Sequence, residues 1–262
     1  TCILDKRKSN KLTDNLRNRL AITTYKVSPL TPEVGMIGFV RNCVTLFDLV
    51  KNYREKKSIK LEGEYNLVIQ NCEKYDELPL GTEKVKYFRY GYEACDGNDL
   101  KIILFNSSDD SMNWLQRRTT YTASLAMTSM AGYVLGLGDR HLCNIMINKS
   151  TGKLVHIDFG DSFEVAQYRS NFPEKVPFRL TRLLQNALEV SRIEGTFRKS
   201  CENSLLMMRN NSEQIIGLLS AFIYDPLRQW TKSSTQVKEE VATGKINALN
   251  DTAQINEEEK VI

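Results

Sequence analysis

The sequence predicts an α+β fold, mainly helical, with a few antiparallel strands toward its start. Three observations carry this expectation. Two short β-rich runs, residues 21–28 and 35–40, flank a turn that spans residues 29–33 with Pro29 and Pro32. A run rich in Ala, Ser and Met over residues 114–135 is long enough for an extended helix, and its apolar second half calls for burial. Two apolar stretches, Ile145-Met146-Ile147 and Leu154-Val155-His156-Ile157, bracket a polar loop with a Thr151-Gly152 pair, which suits a hairpin turn.

The remaining elements follow in order. Residues 1–20 are charged and polar and read as a helix with a ragged start. Thr45 suits an N-cap for an amphipathic helix to about residue 57, with Leu46, Leu49, Val50 and Tyr53 on one face. Its end, Arg54-Glu55-Lys56-Lys57, reads as a solvated terminus. Residues 58–110 are poorly periodic and predict short helices and loops. Helices are expected over about 180–191, 196–209 and 212–224. From residue 231 the chain turns polar, with the run Glu257-Glu258-Glu259-Lys260, and predicts a disordered tail.

Composition narrows the function classes. The chain has 262 residues, 41% hydrophobic and 26% charged, the profile of a globular protein. A net charge of +4 is too mild to argue for nucleic acid. No apolar run reaches the length of a membrane span, since 215–224 is short and broken by Gly217 and Ser220. The first residues lack the apolar core of a signal peptide. Six scattered cysteines favour reduced thiols in a cytoplasmic or nuclear compartment over a disulfide framework.

The chemistry is concentrated in Gly138-Asp139-Arg140-His141-Leu142-Cys143-Asn144 and His156-Ile157-Asp158-Phe159-Gly160. An Asp beside a Gly usually makes a turn, and either motif alone is weak. Together they supply an Asp, an Asn five residues on, and a second Asp opening a DFG triplet, the polar set that phosphoryl transfer requires. A hairpin between them would bring Asn144 and Asp158 side by side, as a shared metal demands. The two histidines, His141 and His156, both lie inside these motifs, which disfavours a zinc site.

Asp139-Arg140-His141 reverses the order of ordinary protein kinases and resembles the phosphatidylinositol-kinase-like superfamily. Residues Tyr133-Val134-Leu135-Gly136-Leu137-Gly138, Asp161-Ser162-Phe163-Glu164 and Phe172-Pro173-Glu174-Lys175-Val176-Pro177-Phe178-Arg179-Leu180-Thr181-Arg182 resemble its target-of-rapamycin branch. The resemblance runs over about residues 20–230. It implies a protein-kinase-like fold of the PI3/PI4-kinase type: a partial N-lobe and hinge over 1–40, a mainly helical C-lobe over 41–230, and a tail over 231–262. It also implies ATP and Mg2+ as cofactors, protein substrates, membership of a larger complex, and a role in growth and nutrient signalling. The expected location is cytoplasmic, with attachment to internal membranes through partners, or a nuclear site, as alternatives.

Roles carry over position by position. Asp139 would orient the acceptor hydroxyl. His141 reads equally as a donor to the moving phosphoryl oxygens and as a brace for the loop. Arg140 would pack or pair internally. Asn144 and Asp158 offer the hard oxygens that magnesium prefers. By resemblance Phe39 stacks on adenine and Val40 follows it at the hinge, while Tyr25, Ile37, Cys43, Met146 and Ile157 line the remaining slot. Phe39 stands where the branch usually carries Trp. Leu142-Cys143 replaces its usual Pro-Ser pair, so the loop loses the rigidity that proline gives.

Two further features keep other functions open. No Gly-rich phosphate loop occurs in the sequence, and Lys26 comes too late in the order to be the phosphate-binding strand lysine. Both parts are expected to precede Thr1. A catalytically impaired pseudokinase or binding module is therefore one alternative. A phosphatidylinositol 3- or 4-kinase relative is another, although the segment 161–177 carries Asp161, Glu164 and Glu174 against Arg169 and Lys175, a poor match for an anionic head group.

Overall fold

The computed structural model describes residues 21–31, 34–72, 74–75, 77–79, 81–169 and 173–223, the last three by backbone alone. The helix expected over 1–20 and the tail expected over 231–262 lie outside these residues. The chain divides into two compact units, Thr1–Leu205 and Leu206–Ile262.

The first unit begins with a hairpin. Strands β1 (Val27–Pro29) and β2 (Gly35–Ile37) pair antiparallel, Ser28 opposite Met36. The strands are shorter than the β-rich sequence suggests. Beyond them, Gly38 N–H still donates to Lys26 O at 2.7 Å. Every residue of both strands is exposed, so no buried face extends the pairing. Residues 38–42 then lead into β3 (Cys43–Thr45), which joins β4 (Ile145–Asn148) and β5 (Leu154–His156) in a sheet of order β3-β4-β5.

Helix α1 (Leu46–Lys56) starts where expected: the Thr45 hydroxyl accepts from Asp48 N–H at 3.0 Å. Leu46 and Val50 are buried. Its C-terminal end differs from the sequence reading, because Arg54 is only 3% exposed. Arg54 donates to Asp99 Oδ2 at 2.7 Å, to both oxygens of Glu64 at 2.5 and 2.8 Å, and to Leu61 O at 2.9 Å. Burial works against the charge, yet the two carboxylates hold the Arg54 pKa above its usual value. The charges come from α2 (Gly63–Asn71) and the start of α4 (Asp99–Asn106), with α3 (Thr82–Ala94) between them in sequence. Helix periodicity could not reveal this, because the partners lie 10 and 45 residues away.

Helix α5 (Ser111–Leu135) is the spine. The Asp110 carboxylate caps it by accepting from Asn113 N–H at 2.6 Å. Gly136 ends it in the left-handed region, φ 58°, with Leu137 N–H returning to Gly132 O at 2.9 Å. Residues 121–130 are buried without interruption. Ser124 Oγ accepts from Leu154 N–H at 3.0 Å, and Arg117 donates to Lys149 O at 2.7 Å, so the spine is tied to the β4–β5 hairpin. Tyr121 donates its hydroxyl to Leu184 O at 3.0 Å, tying the spine to α6 (Arg182–Asn186). The core gathers Leu46, Leu100, Tyr121, Leu125, Ile145, Ile147, Leu154, Leu184 and Phe197.

The helix expected over 180–191 is confined to α6. After it Val190 is 90% exposed and Arg192 takes φ 51°, so the chain turns where nothing buries an apolar face. Helix α7 (Arg198–Asn210) follows. In the second unit the described residues form the end of α7 and α8 (Ser212–Ile223), where Ile216 and Leu218 are exposed. Among the described residues, no helix is long and apolar enough to cross a membrane.

Candidate active site

The spine delivers the chain directly into the Asp139 loop. Gly138 makes this possible: a Cβ there would lie 2.2 Å from the Cβ of Ala166, so only glycine lets the segment after the DFG triplet lie flat on the loop. Backbone bonds fix that approach, with Gly138 N–H donating to Asp161 O and Phe163 N–H to Leu135 O, both at 2.8 Å. Asp139 takes φ 58° and Asp158 φ 55°. Such values are uncommon outside glycine, are tolerated best by Asn and Asp, and collect at functional sites.

Asn144 faces Asp139. Its Nδ2 donates to Asp139 O at 3.0 Å and to Asp139 Oδ2 at 3.2 Å, which leaves the amide oxygen available to a cation. His141 Nε2 lies 3.9 Å from the same Oδ2. Cys143 N–H donates to His141 Nδ1 at 3.2 Å, so in the neutral ring the proton resides on Nε2, on the side of Asp139. The histidine is thus both braced and left with a donor, and the two roles read from the sequence are compatible.

Arg140 joins the two motifs. It is buried and donates from Nε to Gly138 O and from Nη1 to Ile157 O, each at 2.8 Å, and from Nη2 to Asp158 O. Its guanidinium also lies over the Phe159 ring, 5.9 Å from the centroid. Internal pairing is what the sequence suggested for it. Burial lowers its pKa from the usual value, an effect that Asp139, Asp158 and Glu174 oppose. Ile157 N–H donates to Asn144 O at 3.1 Å, which completes the register between loop and triplet.

Asp158 is exposed, and its Oδ1 accepts from Gly160 N–H at 3.1 Å. Its carboxylate and the Asn144 amide oxygen are both hard oxygens, the donor type magnesium selects. Among the described residues no cluster of three His, Cys, Asp or Glu could hold a metal ion. Two protein oxygens, with phosphate and water for the other positions, are what a nucleotide-bound magnesium ordinarily uses. The residues present therefore fit that ion.

The nucleotide-side candidates divide into two sets. Thr45, Met146 and Val155 stand opposite one another across the sheet, and Ile157 follows Val155 by one alternation, so Met146 and Ile157 share the face turned away from Ile145 and Ile147. Cys43 belongs to that face by the same alternation, and all three candidates are half-buried. Burial raises the Cys43 thiol above its usual pKa. The Tyr25 phenol is raised by burial and then by the charge of Asp158, which places it within electrostatic reach of the triplet. The other set is open: Ile37 is 72% exposed and Phe39 88%, with Val40 intermediate. The chain presents an apolar floor and a bare hinge, which fits one side of a flat aromatic ligand.

Two residues that sequence reasoning passed over act on Asp139. Glu174 accepts from Asp139 N–H with both oxygens, at 2.9 and 3.1 Å. Arg169 lies 3.7 Å from Asp139 Oδ1 and 3.9 Å from Glu174 Oε1, and it pairs with Asp161. The signal was the segment 161–177 itself, which the sequence reading used for its resemblance motifs and its charge balance but not for a role beside Asp139.

Residues 6–232 match the protein family described as phosphatidylinositol 3- and 4-kinase. The chain belongs to this family. Among its members the chain is similar to the serine/threonine-protein kinase TOR of Oryza sativa subsp. japonica, 48% identical over 84% of this chain and 9% of the rice protein. It is also similar to TOR2 of Saccharomyces cerevisiae, 46% identical over 93% of this chain and 10% of the yeast protein. The likeness to a more distant family member, the ATM kinase of Arabidopsis thaliana, falls to 35%. Among solved structures, the FAT and kinase domain of CtTel1 superposes with a TM-score of 0.70 at 29% identity, over 95% of this chain and 18% of that one. The chain thus spans about a tenth of the length of the TOR relatives it matches, and the kinase-like fold expected from the motifs is the fold of this family.

Proposed function

We propose that this chain is the phosphoryl-transfer part of a TOR-type serine/threonine protein kinase, acting on protein hydroxyls with ATP and magnesium. The observation that carries this reading is the convergence of Asp139, Asn144 and Asp158. The β4–β5 hairpin and the Arg140 staple hold these three polar groups at one edge of the sheet. Magnesium-bound ATP, when present, would supply the phosphoryl group and bring charge neutralisation at its oxygens. Asn144 and Asp158 would hold the metal. Asp139 would orient the acceptor hydroxyl through its carboxylate, and His141 would offer its Nε2 proton to phosphoryl oxygen. Cys43, Met146, Ile157 and Tyr25 would floor the adenine slot, with Phe39 and Val40 at the hinge.

A protein acceptor is favoured over a lipid by the charges of the segment after the triplet. Arg169 is already engaged by three carboxylates, which leaves Lys175 as the other basic residue between Asp161 and Pro177. Phosphoinositide recognition relies on several uncommitted cations. By the same reading the protein works in growth and nutrient signalling from the cytoplasm, within a larger complex.

The test is radiolabelled transfer from ATP to peptide hydroxyls and to phosphatidylinositol vesicles, with native-length protein and its Asp158→Asn variant. The expected result is magnesium-dependent peptide labelling that the variant lacks. Vesicle labelling without peptide labelling would reassign the substrate. Equal magnesium-ATP affinity in parent and variant would leave a binding module as the better reading.

A further inference from the structure

The segment after the triplet is more than a substrate platform. Three carboxylates, from Asp139, Asp161 and Glu174, converge on the single guanidinium of Arg169, which is one-third exposed. Glu174 also accepts the amide proton of Asp139, and it is brought to the loop by its own N–H donating to Ala166 O at 3.0 Å. Asp139 Oδ2 faces Asn144 and His141, so Oδ1, on the Arg169 side, is the oxygen left for an acceptor hydroxyl.

We infer that Arg169 and Glu174 are positioning residues that hold Asp139 in its left-handed backbone conformation and aim the carboxylate oxygen on the Arg169 side. The inference rests on the kinase reading of the site. Its physical basis is the cost of the arrangement without each member. Asp139 at φ 58° persists only if its surroundings over-determine it, and the two-oxygen acceptor on its amide is such a determinant. Glu174 brings a negative charge beside the Asp139 carboxylate. Without Arg169 these charges would repel one another and Asp161, and the loop would lose its aim. A structural ion pair elsewhere on the surface would change stability alone. Here the pair touches the group that meets the acceptor, so its loss should appear in turnover.

The experiment uses native-length protein and the variants Arg169→Ala, Arg169→Lys and Glu174→Ala, with kcat and KM measured for peptide and for magnesium-ATP. Arg169→Ala should lower kcat by about 100-fold, the scale of a 1 Å misplacement, while KM for ATP changes by less than about threefold, since Asn144 and Asp158 are untouched. Arg169→Lys should recover most of kcat because it retains the charge. A kcat within threefold of the parent in Arg169→Ala, or a lysine variant as slow as the alanine one, overturns the inference. So does loss of magnesium-ATP binding alongside kcat, which marks collapse of the site. Amide exchange at Asp139 gives a second readout, expected to quicken at least about tenfold in Glu174→Ala. If the parent labels no substrate, the kinase reading fails, and unchanged exchange at Asp139 would then sink the bracing role independently.

Discussion

The Asp139–Asp158 edge and the Tyr25–Val40 edge of the same unit are built in opposite ways. The first is clamped from three sides: Ser124 and Arg117 of the spine hold the hairpin, Arg140 staples the two motifs, and the segment to Glu174 presses on the loop. The second is a two-stranded hairpin with every strand residue exposed and Phe39 88% exposed. The contrast teaches how the work is divided. On the proposed reading, metal and acceptor must be placed to within a fraction of an ångström, which a buried frame beneath their ligands would serve. On the same reading, adenine would need only an apolar face and would tolerate a hinge held by few contacts.

This contrast can be broken or sharpened by mutation. The largest effect is expected from Asp158→Asn on the clamped edge. Asn tolerates the positive φ and keeps the bond from Gly160, so the fold should survive. Phosphoryl transfer should fall by about a thousandfold or more, as for loss of a group that stabilises transition-state charge. Retained transfer with normal magnesium dependence would remove Asp158 from the site.

Next in size is the buried charge beneath α1. Arg54→Met leaves Glu64 and Asp99 facing each other unpaired, with side-chain exposures of 14% and 13%. A loss of about 3 kcal/mol is expected, the lower end for a broken buried ion pair. It should be read as faster amide exchange in α1 and α4, and a loss below about 1 kcal/mol would show that the pair is effectively solvated.

His156 makes the clamped edge sensitive to acid. Burial, and then the charge of Arg140, lower its pKa from 6.5 to about 4. The unfolded chain therefore takes up a proton that the folded one refuses between those values. Stability is full above about pH 6.5 and falls as pH drops toward 4, by at most about 3 kcal/mol. Amide exchange of β4 and β5 across that range checks it, and His156→Gln should flatten the slope. Glu64 acts in a lower window, because its pKa is depressed: although burial opposes this, Arg54 outweighs it, and the stability it provides is lost only on acidification below the usual carboxylate range.

The smallest folding effect belongs to the open edge. Phe39→Ala should leave stability within about 0.5 kcal/mol, as for an exposed substitution. It should weaken ATP by about 1–2 kcal/mol through lost stacking. Titration calorimetry and thermal melting separate the two, and a variant that unfolds would show that the hinge is structural.

Much of this was legible in the chain. Thr45 as a cap, the spine ending before Asp139, the 145–157 hairpin, and the pairing of Asn144 with Ile157 next to Asp158 all follow from local signals: capping chemistry, helical and strand periodicity, and a Thr-Gly turn. The motif order pointed to the kinase family that residues 6–232 match. Other features were not legible. Arg54 looked like a solvated terminus because its partners come from other helices, and 180–191 looked continuous because sequence alone does not show that Val190 has nothing to pack against.

By itself, then, the sequence determined which polar groups the proposed chemistry would use and which local elements carry them, since both depend on residues a few positions apart. Tertiary structure decided which charges meet. Glu174 reaches the Asp139 amide across 35 residues, and Arg54 reaches Asp99 across 45. Separations of that size leave no period in a sequence. They are set by how buried helices and a folded-back segment pack, where each buried charge must find a partner or pay the cost of desolvation.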